Sequence, residues 1–301
     1  MSTSITNAFI TAYEAKVHLV FQRMGTVLLQ AVRWKRDVVG STAVFQVIGT
    51  GAATTKARHG TITPMNQTHS TATATLADFY AGDWVDALDE AKINIDERDA
   101  LSKSGAMALG RKIDDQIFVA MDAANTDNVT WATLGVVSEK QTRANLLSMV
   151  ENLYNNDVPN DGEIFGALSS GAWAFAMTVD EFASSDFVGA NGLPWTQGMP
   201  TARFREWMGV KWTMHTGVPR AQSATSAQFL WHRSSIGYAS GKHPKNFANR
   251  GAIVADITWH GDRAAHFVNH MMSGGAVVIE AAGIIEGIFD DTSSLPLIAS
   301  T

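Results

Sequence analysis

The sequence contains no cysteine, only 7 prolines and a modest 17% of charged residues. Without cysteine the chain has no disulfide, thiol nucleophile or cysteine metal site, and such a composition fits a protein made in a reducing cytosol. No apolar run reaches the roughly 18 residues of a membrane span, and Lys16 and Arg23 interrupt the apolar part of the N-terminal segment. We therefore expect a soluble protein made in the cytoplasm, without a signal peptide and with no membrane partner.

Basic charge is also scarce. The 301 residues carry 23 Lys and Arg against 29 Asp and Glu, which gives a net charge of -6. A dedicated nucleic-acid binder obtains its affinity by neutralising phosphates with clustered Lys and Arg, so the composition argues against this class. The 46% of hydrophobic residues suffices for a sizeable core, in one large domain or two modest ones.

The longest predicted helix runs over residues 96–125. Asp96, Glu97 and Asp99 suit the positive end of its dipole, and no proline follows until Pro159. Apolar residues recur at every fourth position and predict one buried stripe. The stripe consists of Leu101, Gly105, Leu109, Ile113, Ile117 and Met121. At about 1.5 Å per residue such a helix is about 42 Å long, enough to cross a domain.

Residues 5–31 show helical spacing with one apolar side. The candidate anchors are Phe9, Tyr13, Val17, Phe21 and Leu28. Gly25 and the lack of a clear cap leave two interpretations open, a mobile arm or a docked helix.

Between Val32 and Thr75 the pattern changes to period two, which predicts a β-hairpin. Its strands are predicted over residues 42–48 and 71–75. A basic tip lies between them, with Lys56, Arg58 and His59. An isolated hairpin is marginally stable in water, so this one should pack against something. It is either an edge hairpin of an ordinary sheet or an arm that reaches onto another subunit.

The remaining chain mixes helices and strands. Aromatic residues just before the long helix, Phe79, Tyr80 and Trp84, are expected in the core. A second helix is predicted from Ser138, which has capping-box spacing to Gln141. Strands are predicted over residues 163–168, 210–214, 229–232, 253–259 and 276–289. Short helices are predicted around Trp173 and over residues 262–272, and a long loop over residues 184–202.

Motifs for catalysis or metal binding are weak. His266 and His270 are four residues apart with His260 nearby, but the glutamate of zinc proteases and a third ligand are missing. Residues 237–242 resemble a phosphate loop that is one residue short between its glycines. Two pairs of adjacent carboxylates are expected on solvated faces, Asp114/Asp115 and Asp180/Glu181. We therefore predict no catalytic, cofactor-binding or metal site.

The order of the predicted elements carries more information than these motifs. The sequence Trp-Val-Asp-Ala-Leu-Asp-Glu at residues 84–90 leads into the long helix, which contains Gly-Ala-Met-Ala-Leu-Gly-Arg-Lys at residues 105–112. Strands over residues 253–259 and 276–289 close the chain. An arm, a basic-tipped hairpin, a long helix and an inserted α/β region in this order resemble the major capsid protein of tailed bacteriophages, the Hong Kong 97-type fold. The resemblance covers residues 32–289.

The resemblance implies an α+β fold with an extended hairpin loop, a spine helix in a peripheral domain, and an axial domain. The expected divisions are an N-terminal arm at 1–31, the extended loop at 32–78, the peripheral domain with the spine helix at 79–135, the axial domain at 136–252, and the peripheral return with the C-terminal tail at 253–301.

The resemblance also implies a structural, non-enzymatic function. Hexamers and pentamers of the chain would form an icosahedral shell around packaged double-stranded DNA, as part of a virion assembled in the host cytoplasm. Implied partners are further copies of the chain, a scaffolding protein, a portal and weakly bound DNA, with no cofactor. The expected inter-subunit contacts are Lys56, Arg58 and His59. By position, Lys56 is also the candidate donor of the loop crosslink to asparagine that some family members form.

Two other functions stay open from the sequence. An encapsulin-like compartment would use a similar fold, and a captured cargo enzyme would distinguish it. A cytosolic α/β hydrolase or transferase would place its site in the loop over residues 184–202, and it would form a small oligomer with a convergent polar pocket.

Overall fold

The computed structural model describes residues 26–92, 97–123, 128–129, 141–178, 204–219, 225–242 and 253–291. These residues form two large β-sheets, one long helix, shorter helices and a separate two-stranded ribbon. The predicted α+β class is confirmed. None of the described helices is long and apolar enough to cross a membrane.

The described helices and strands are numbered here in chain order. The strands are β1 (Arg33–Val38), β2 (Thr42–Ile48), β3 (His69–Thr75), β4 (Ala77–Asp86), β5 (Asn128–Val129), β6 (Ile164–Leu168), β7 (Arg205–Trp207), β8 (Val210–Met214), β9 (Thr225–His232), β10 (Ile236–Gly241), β11 (Val254–His260), β12 (Ala265–Val278) and β13 (Ile284–Asp290). The helices are α1 (Ala87–Lys92), α2 (Glu97–Ala123), α3 (Arg143–Asn155) and α4 (Ser170–Ala176). Short 3-10 turns lie at Leu28–Ala31, Arg233–Ser235 and Ala281–Gly283.

The long helix is confirmed, because α2 covers nearly all of the predicted residues 96–125. Glu97 and Asp99 lie in its first turn, where acidic side chains stabilise the helix dipole. The buried residues repeat at helical spacing and form one continuous stripe. They are Leu109, Gly110, Ile113, Asp114, Ile117, Phe118 and Met121.

The helix α2 packs against a five-stranded sheet in the order β1-β10-β12-β11, with β4 also paired to β12. The central strand β12 lies between β4 and β11 in its first part and pairs with β10 in its last part. At Gly105 of α2 the imidazole of His270 leaves no room for a Cβ. Gln116 Nε2 donates a hydrogen bond to Gly274 O at 3.0 Å. The helix therefore lies directly on β12.

A six-stranded sheet forms a second layer, in the order β5-β13-β9-β6-β8-β7. Its core is a cluster of large apolar side chains from the sheet and from α3 and α4. The cluster includes Leu146, Met149, Leu153, Leu168, Trp212, Leu230, Ile285 and Phe289. The chain passes between the two sheets three times: from β4 to β5, from β9 to β10, and from β12 to β13.

Two predictions for the C-terminal segment are wrong. Residues 262–272, predicted as a helix, form a turn and the first part of β12, which pairs with both β4 and β11. Ala265, Val268 and Met272 have helical spacing, whereas Val268, His270 and Met272 alternate as in a strand, so pairing with the two neighbouring strands decides the outcome. Residues 276–289, predicted as one strand, are divided by the turn at Ala281–Gly283 between β12 and β13, in different sheets.

The second predicted helix is present but begins later than expected. It starts at Arg143, and the hydroxyl of Thr142 accepts a hydrogen bond from Asn145 N at 3.2 Å, which makes Thr142 its N-cap. Ser138 lies outside the described residues, as do residues 5–25 of the predicted N-terminal helix. The strands predicted over residues 42–48, 71–75, 163–168, 210–214, 229–232 and 253–259 and the short helix around Trp173 are confirmed.

The aromatic residues before α2 lie only partly in the core. They belong to β4, where successive side chains point to opposite faces of the sheet. Phe79 faces α2 and is half-buried, with Lys112 Nζ 5.1 Å from the centroid of its ring. Tyr80 and Trp84 point the other way and are 69% and 37% exposed. The prediction of core burial is therefore wrong for these two residues.

Asp114 of α2, predicted on a solvated face, is fully buried. Its carboxylate accepts hydrogen bonds from the backbone N–H groups of Val27 and Leu28 at 3.1 and 3.2 Å, and from His215 Nε2 at 3.1 Å. A buried carboxylate needs such donors because it has lost its hydration. Asp114 therefore joins three parts of the chain: the segment before β1, the long helix and the loop after β8.

The hydrogen bonds around His215 indicate its tautomer. The backbone N–H of Gly217 donates to Nδ1 at 3.1 Å, so Nε2 carries the proton that is donated to Asp114. The imidazole packs edge-on against Phe118, with 4.9 Å between ring centroids. Burial, together with the nearby charge of Asp114, raises the pKa of Tyr238 well above its usual value.

We expect Asp114→Asn to lower the free energy of unfolding by about 1–3 kcal/mol, because the amide nitrogen would face a hydrogen-bond donor. Denaturant unfolding measures this loss. Asp122→Asn, at an exposed position of the same helix, is the matched control and should change stability by less than about 0.5 kcal/mol. Equal stability of the two variants would contradict the role assigned to Asp114.

Candidate functional site

A two-stranded ribbon of β2 and β3 projects from the five-stranded sheet. Only Leu76 separates β3 from β4, so the ribbon continues a strand of that sheet. At the base of the ribbon, Ala43, Phe45 and Ala74 are buried against Ala239 of β10. The base is therefore held by its own chain.

Phe45 is the main anchor of this base. Its ring lies on the backbone of β10, where a Cβ on Gly237 would come within 2.7 Å of Phe45 Cζ. The guanidinium of Arg33 lies over the same ring, 5.9 Å from its centroid. Lys35 Nζ donates a hydrogen bond to Val44 O at 3.3 Å. Residues of β1 and β10 thus fix the start of the ribbon.

The rest of the ribbon is exposed. Every residue from 50 to 71 is exposed, and the side chains of β2 that point away from β10 are exposed as well. Apolar side chains are among them: Ile48 is 60%, Ile62 76% and Met65 55% exposed. We refer to residues 49–68 as the ribbon tip. Exposed apolar side chains on a projection of this kind are typical of a surface that a partner covers.

The three predicted contact residues lie together in the ribbon tip. The backbone N–H groups of His59 and Gly60 both donate to Ala57 O, at 3.0 and 2.9 Å, and form a tight turn. His59 has a φ of 128°. The side chains of Lys56, Arg58 and His59 are exposed and form no ion pair within the described part of the chain. The structure therefore presents all three at the end of the projection.

The three histidines considered as metal ligands are divided between two strands. His266 and His270 belong to β12, and His260 ends β11. His270 is buried beneath Gly105, with its Nε2 3.4 Å from Ser102 Oγ. Within the described ranges, no three His, Asp or Glu side chains are grouped to hold a metal ion.

Residues 237–242, compared above with a phosphate loop, belong almost entirely to the buried strand β10. Their backbone pairs with β1 and β12, so it cannot surround a phosphate, and the loop interpretation is wrong. Asp180, Glu181 and the loop over residues 184–202 lie outside the described residues.

The buried pair of Asp114 and His215 escapes prediction from the sequence. A signal exists for Asp114, which lies four residues after Gly110 and three before Ile117, both on the buried stripe. Nothing local marks His215, because its partner is 101 residues away in the chain.

Residues 5–291 match a family model described as phage capsid protein. The chain belongs to the phage capsid protein family. Members of this family are components of the virion, so the chain is a structural protein and not an enzyme. The resemblance drawn from the sequence is thereby confirmed. No curated protein matches the chain.

Solved phage capsids share the fold of this capsid protein. The capsid structure of cyanophage P-SCSP1u has a TM-score of 0.69 at 14% identity and covers 95% of this chain and 94% of its own. The capsid of cyanophage Pam1 has a TM-score of 0.69 at 13% identity, with 96% and 98% covered. The capsid of Ralstonia phage GP4 has a TM-score of 0.65 at 10% identity, with 93% and 95% covered. At such identities the similarity is one of fold.

We expect Phe45→Ala to release the base of the ribbon, because it removes the largest side chain of a small core. A loss of about 3 kcal/mol in local stability corresponds to amide hydrogen exchange about a hundredfold faster in β2 and β3. The control is Val44→Ala, on the exposed face of the same strand. Similar exchange rates in the two variants would show that Phe45 does not hold the ribbon.

Proposed function

We propose that the capsid protein assembles into hexamers and pentamers that close into an icosahedral shell around packaged double-stranded DNA. The ribbon tip is the observation that carries this proposal. Its base is buried in its own chain, whereas its apolar and basic side chains are exposed. A neighbouring copy that covers the tip removes this apolar surface from water and orders a segment with little support of its own.

The contact between a tip and another part of a neighbour is heterologous, because two different surfaces meet. Repeated heterologous contacts close into rings when the rotation between copies allows it. Rings of six and five copies tile a closed shell. Obligate interfaces of this kind commonly bury about 2,000 Å² or more. In this proposal Lys56, Arg58 and His59 contact the neighbouring copy.

We assign the two sheets to the two domains of the proposed capsomer. The five-stranded sheet with α2 is the peripheral domain, and the six-stranded sheet with α3 and α4 is the axial domain. This assignment follows the expected ranges with four changes. The strands β1 and β10 join the peripheral sheet, and β5 and β13 join the axial sheet.

A scaffolding protein and a portal complete the proposed set of partners, and assembly takes place in the host cytoplasm. DNA is held weakly and without sequence specificity. The net charge of -6 supports this last point, because a shell that bound DNA tightly would hinder its packaging and release.

Removal of the tip tests the proposed assembly. In the wild-type protein, Gly49 N donates to Thr68 O at 2.8 Å, so an Asn-Gly turn in place of residues 50–67 joins the strands at an existing hydrogen bond. We expect this variant to keep the wild-type unfolding midpoint but to form no shells by negative-stain electron microscopy, with scaffolding protein supplied to both. Shells formed at wild-type yield would contradict the proposal.

Weak DNA binding is a separate expectation. We expect the unassembled protein to bind double-stranded DNA no more tightly than ordinary non-specific proteins, with a dissociation constant of about 10⁻⁴ to 10⁻⁶ M at physiological salt. Fluorescence anisotropy at two salt concentrations measures it. Nanomolar binding that is lost steeply with added salt would identify a dedicated DNA-binding surface and contradict this part of the proposal.

A further inference from the structure

Basic side chains are concentrated on β1, although the chain as a whole is acidic. Three of the first four residues of this strand are cationic, Arg33, Lys35 and Arg36, and all three are exposed. Lys242 is also exposed, and it lies beside the end of β1 because its backbone N–H donates to Val38 O at 2.9 Å. We refer to the side chains of Arg33, Lys35, Arg36 and Lys242 as the basic edge.

Acidic side chains are scarce on the elements around the basic edge. The strand β10, which pairs with β1, belongs to a stretch without Asp or Glu, residues 207–255. The ribbon belongs to a second such stretch, residues 38–77. Within β1 itself, Asp37 is the one acidic residue. Among the described residues the four cations form no ion pair, so an external anion can neutralise their charge.

Contacts within the chain already order these cations. The guanidinium of Arg36 lies over the ring of Trp34, 3.8 Å from its centroid, and the indole N–H of Trp34 donates to Ser240 Oγ at 3.0 Å. Arg33 and Lys35 are held by the base of the ribbon. A stacked guanidinium keeps its N–H donors available to an anion, and an ordered side chain loses less entropy on binding. The basic edge is thus preorganised.

The position of β1 in the sheet presents the cations as a strip. It is the last strand of its sheet, so in the part of the chain that the structure describes one of its edges has no strand neighbour. Successive side chains of a strand point to opposite faces. Arg33 and Lys35 lie on the side of the ribbon, whereas Arg36 lies on the side of Trp34. Cations on both sides of one edge suit a rod of negative charge.

We propose that the basic edge binds the phosphate backbone of double-stranded DNA and makes the contact between the capsid protein and the DNA inside the shell. This inference rests on the proposed function, because it names the surface through which the shell meets its contents. Arg and Lys hold phosphates without reading the base sequence, as a shell around any packaged sequence requires. It follows that β1 lies on the inner surface of the shell.

The size of the basic edge fits a weak contact. Each phosphate that is neutralised changes the slope of log K against log salt by about -0.9, so four cations give a slope of about -3 to -4. Proteins that bind DNA tightly through their charges make about six to ten such contacts. One copy therefore holds DNA loosely, and many copies in a shell hold it without preventing its release.

Neutralisation of the basic edge tests the contact. The variant carries Lys35→Gln, Arg36→Gln and Lys242→Gln, and it keeps Arg33, whose guanidinium lies over Phe45 at the base of the ribbon. We expect the dissociation constant for a duplex of mixed sequence to rise at least about tenfold at about 50 mM salt, and the salt slope to become shallower by about 2 to 3. Fluorescence anisotropy of the unassembled protein measures both.

A control variant has the same change of net charge at exposed positions away from β1. It carries Lys103→Gln, Lys112→Gln and Arg263→Gln. We expect its dissociation constant to stay within about threefold of the wild-type value and its salt slope to be unchanged. Equal losses in the two variants would show that net charge alone governs the binding, and would overturn the inference. Thermal unfolding confirms that both variants are folded.

Polyglutamate distinguishes DNA from an acidic protein segment as the ligand. Its carboxylates lie on a flexible chain, whereas the phosphates of a duplex form a regular array. We expect polyglutamate to displace the labelled duplex only at a charge concentration at least about tenfold higher than that of unlabelled duplex. Displacement at equal charge concentration would identify an acidic protein segment as an equally good ligand and would overturn the assignment to DNA.

The outcomes separate this inference from the proposed shell. Shells that carry β1 on their outer surface, or a basic-edge variant that binds DNA like the wild type, overturn the DNA contact and leave the shell intact. A wild-type protein that forms no shells when scaffolding protein is supplied overturns the proposed function. In that case the anisotropy measurement still decides whether the basic edge binds DNA.

Discussion

The proposed assembly depends on a constraint of β-structure: a two-stranded ribbon buries only the face that another part of the protein or a partner covers. In this protein β1 and β10 cover the base of the ribbon, where Phe45 and Ala74 are buried, and no described part of the chain covers its tip. The ribbon thus has a fixed base and an exposed tip. A rigid base points the tip in one direction, which is what the proposed ring of identical copies requires.

The buried carboxylate of Asp114 holds together the part of the fold that supports the base of the ribbon. It joins the long helix to backbone N–H groups that precede β1 and to an imidazole after β8. Both sheets therefore meet the same helix through a polar contact that tolerates little displacement, since an unpaired buried charge is costly. The strand β1 leads from this contact to the ribbon. The position of the tip therefore depends on the Asp114 contact and on β1.

Short-range patterns of apolar and polar residues predict the elements whose structure depends on neighbouring residues in the sequence. The spacing of the apolar residues specifies α2, and the alternation of Thr and Ala specifies β3. Long-range pairing decides what the sequence leaves ambiguous: β12 has helical as well as strand spacing, and it is a strand because β4 and β11 lie on either side of it. The burial of Asp114 depends on residues far along the chain. In the candidate site, the basic tip is visible in the sequence, whereas the packing of Phe45 on Gly237 of β10 depends on residues far apart in the chain.

A cryo-electron microscopy reconstruction of the assembled particle tests the central claim most directly, because it shows which subunit each ribbon tip contacts. The account predicts that residues 49–68 of every subunit lie on a neighbouring subunit, with Lys56, Arg58 and His59 in the contact. Tips that fold back onto their own subunit, or that extend into solvent within a closed shell, would contradict it.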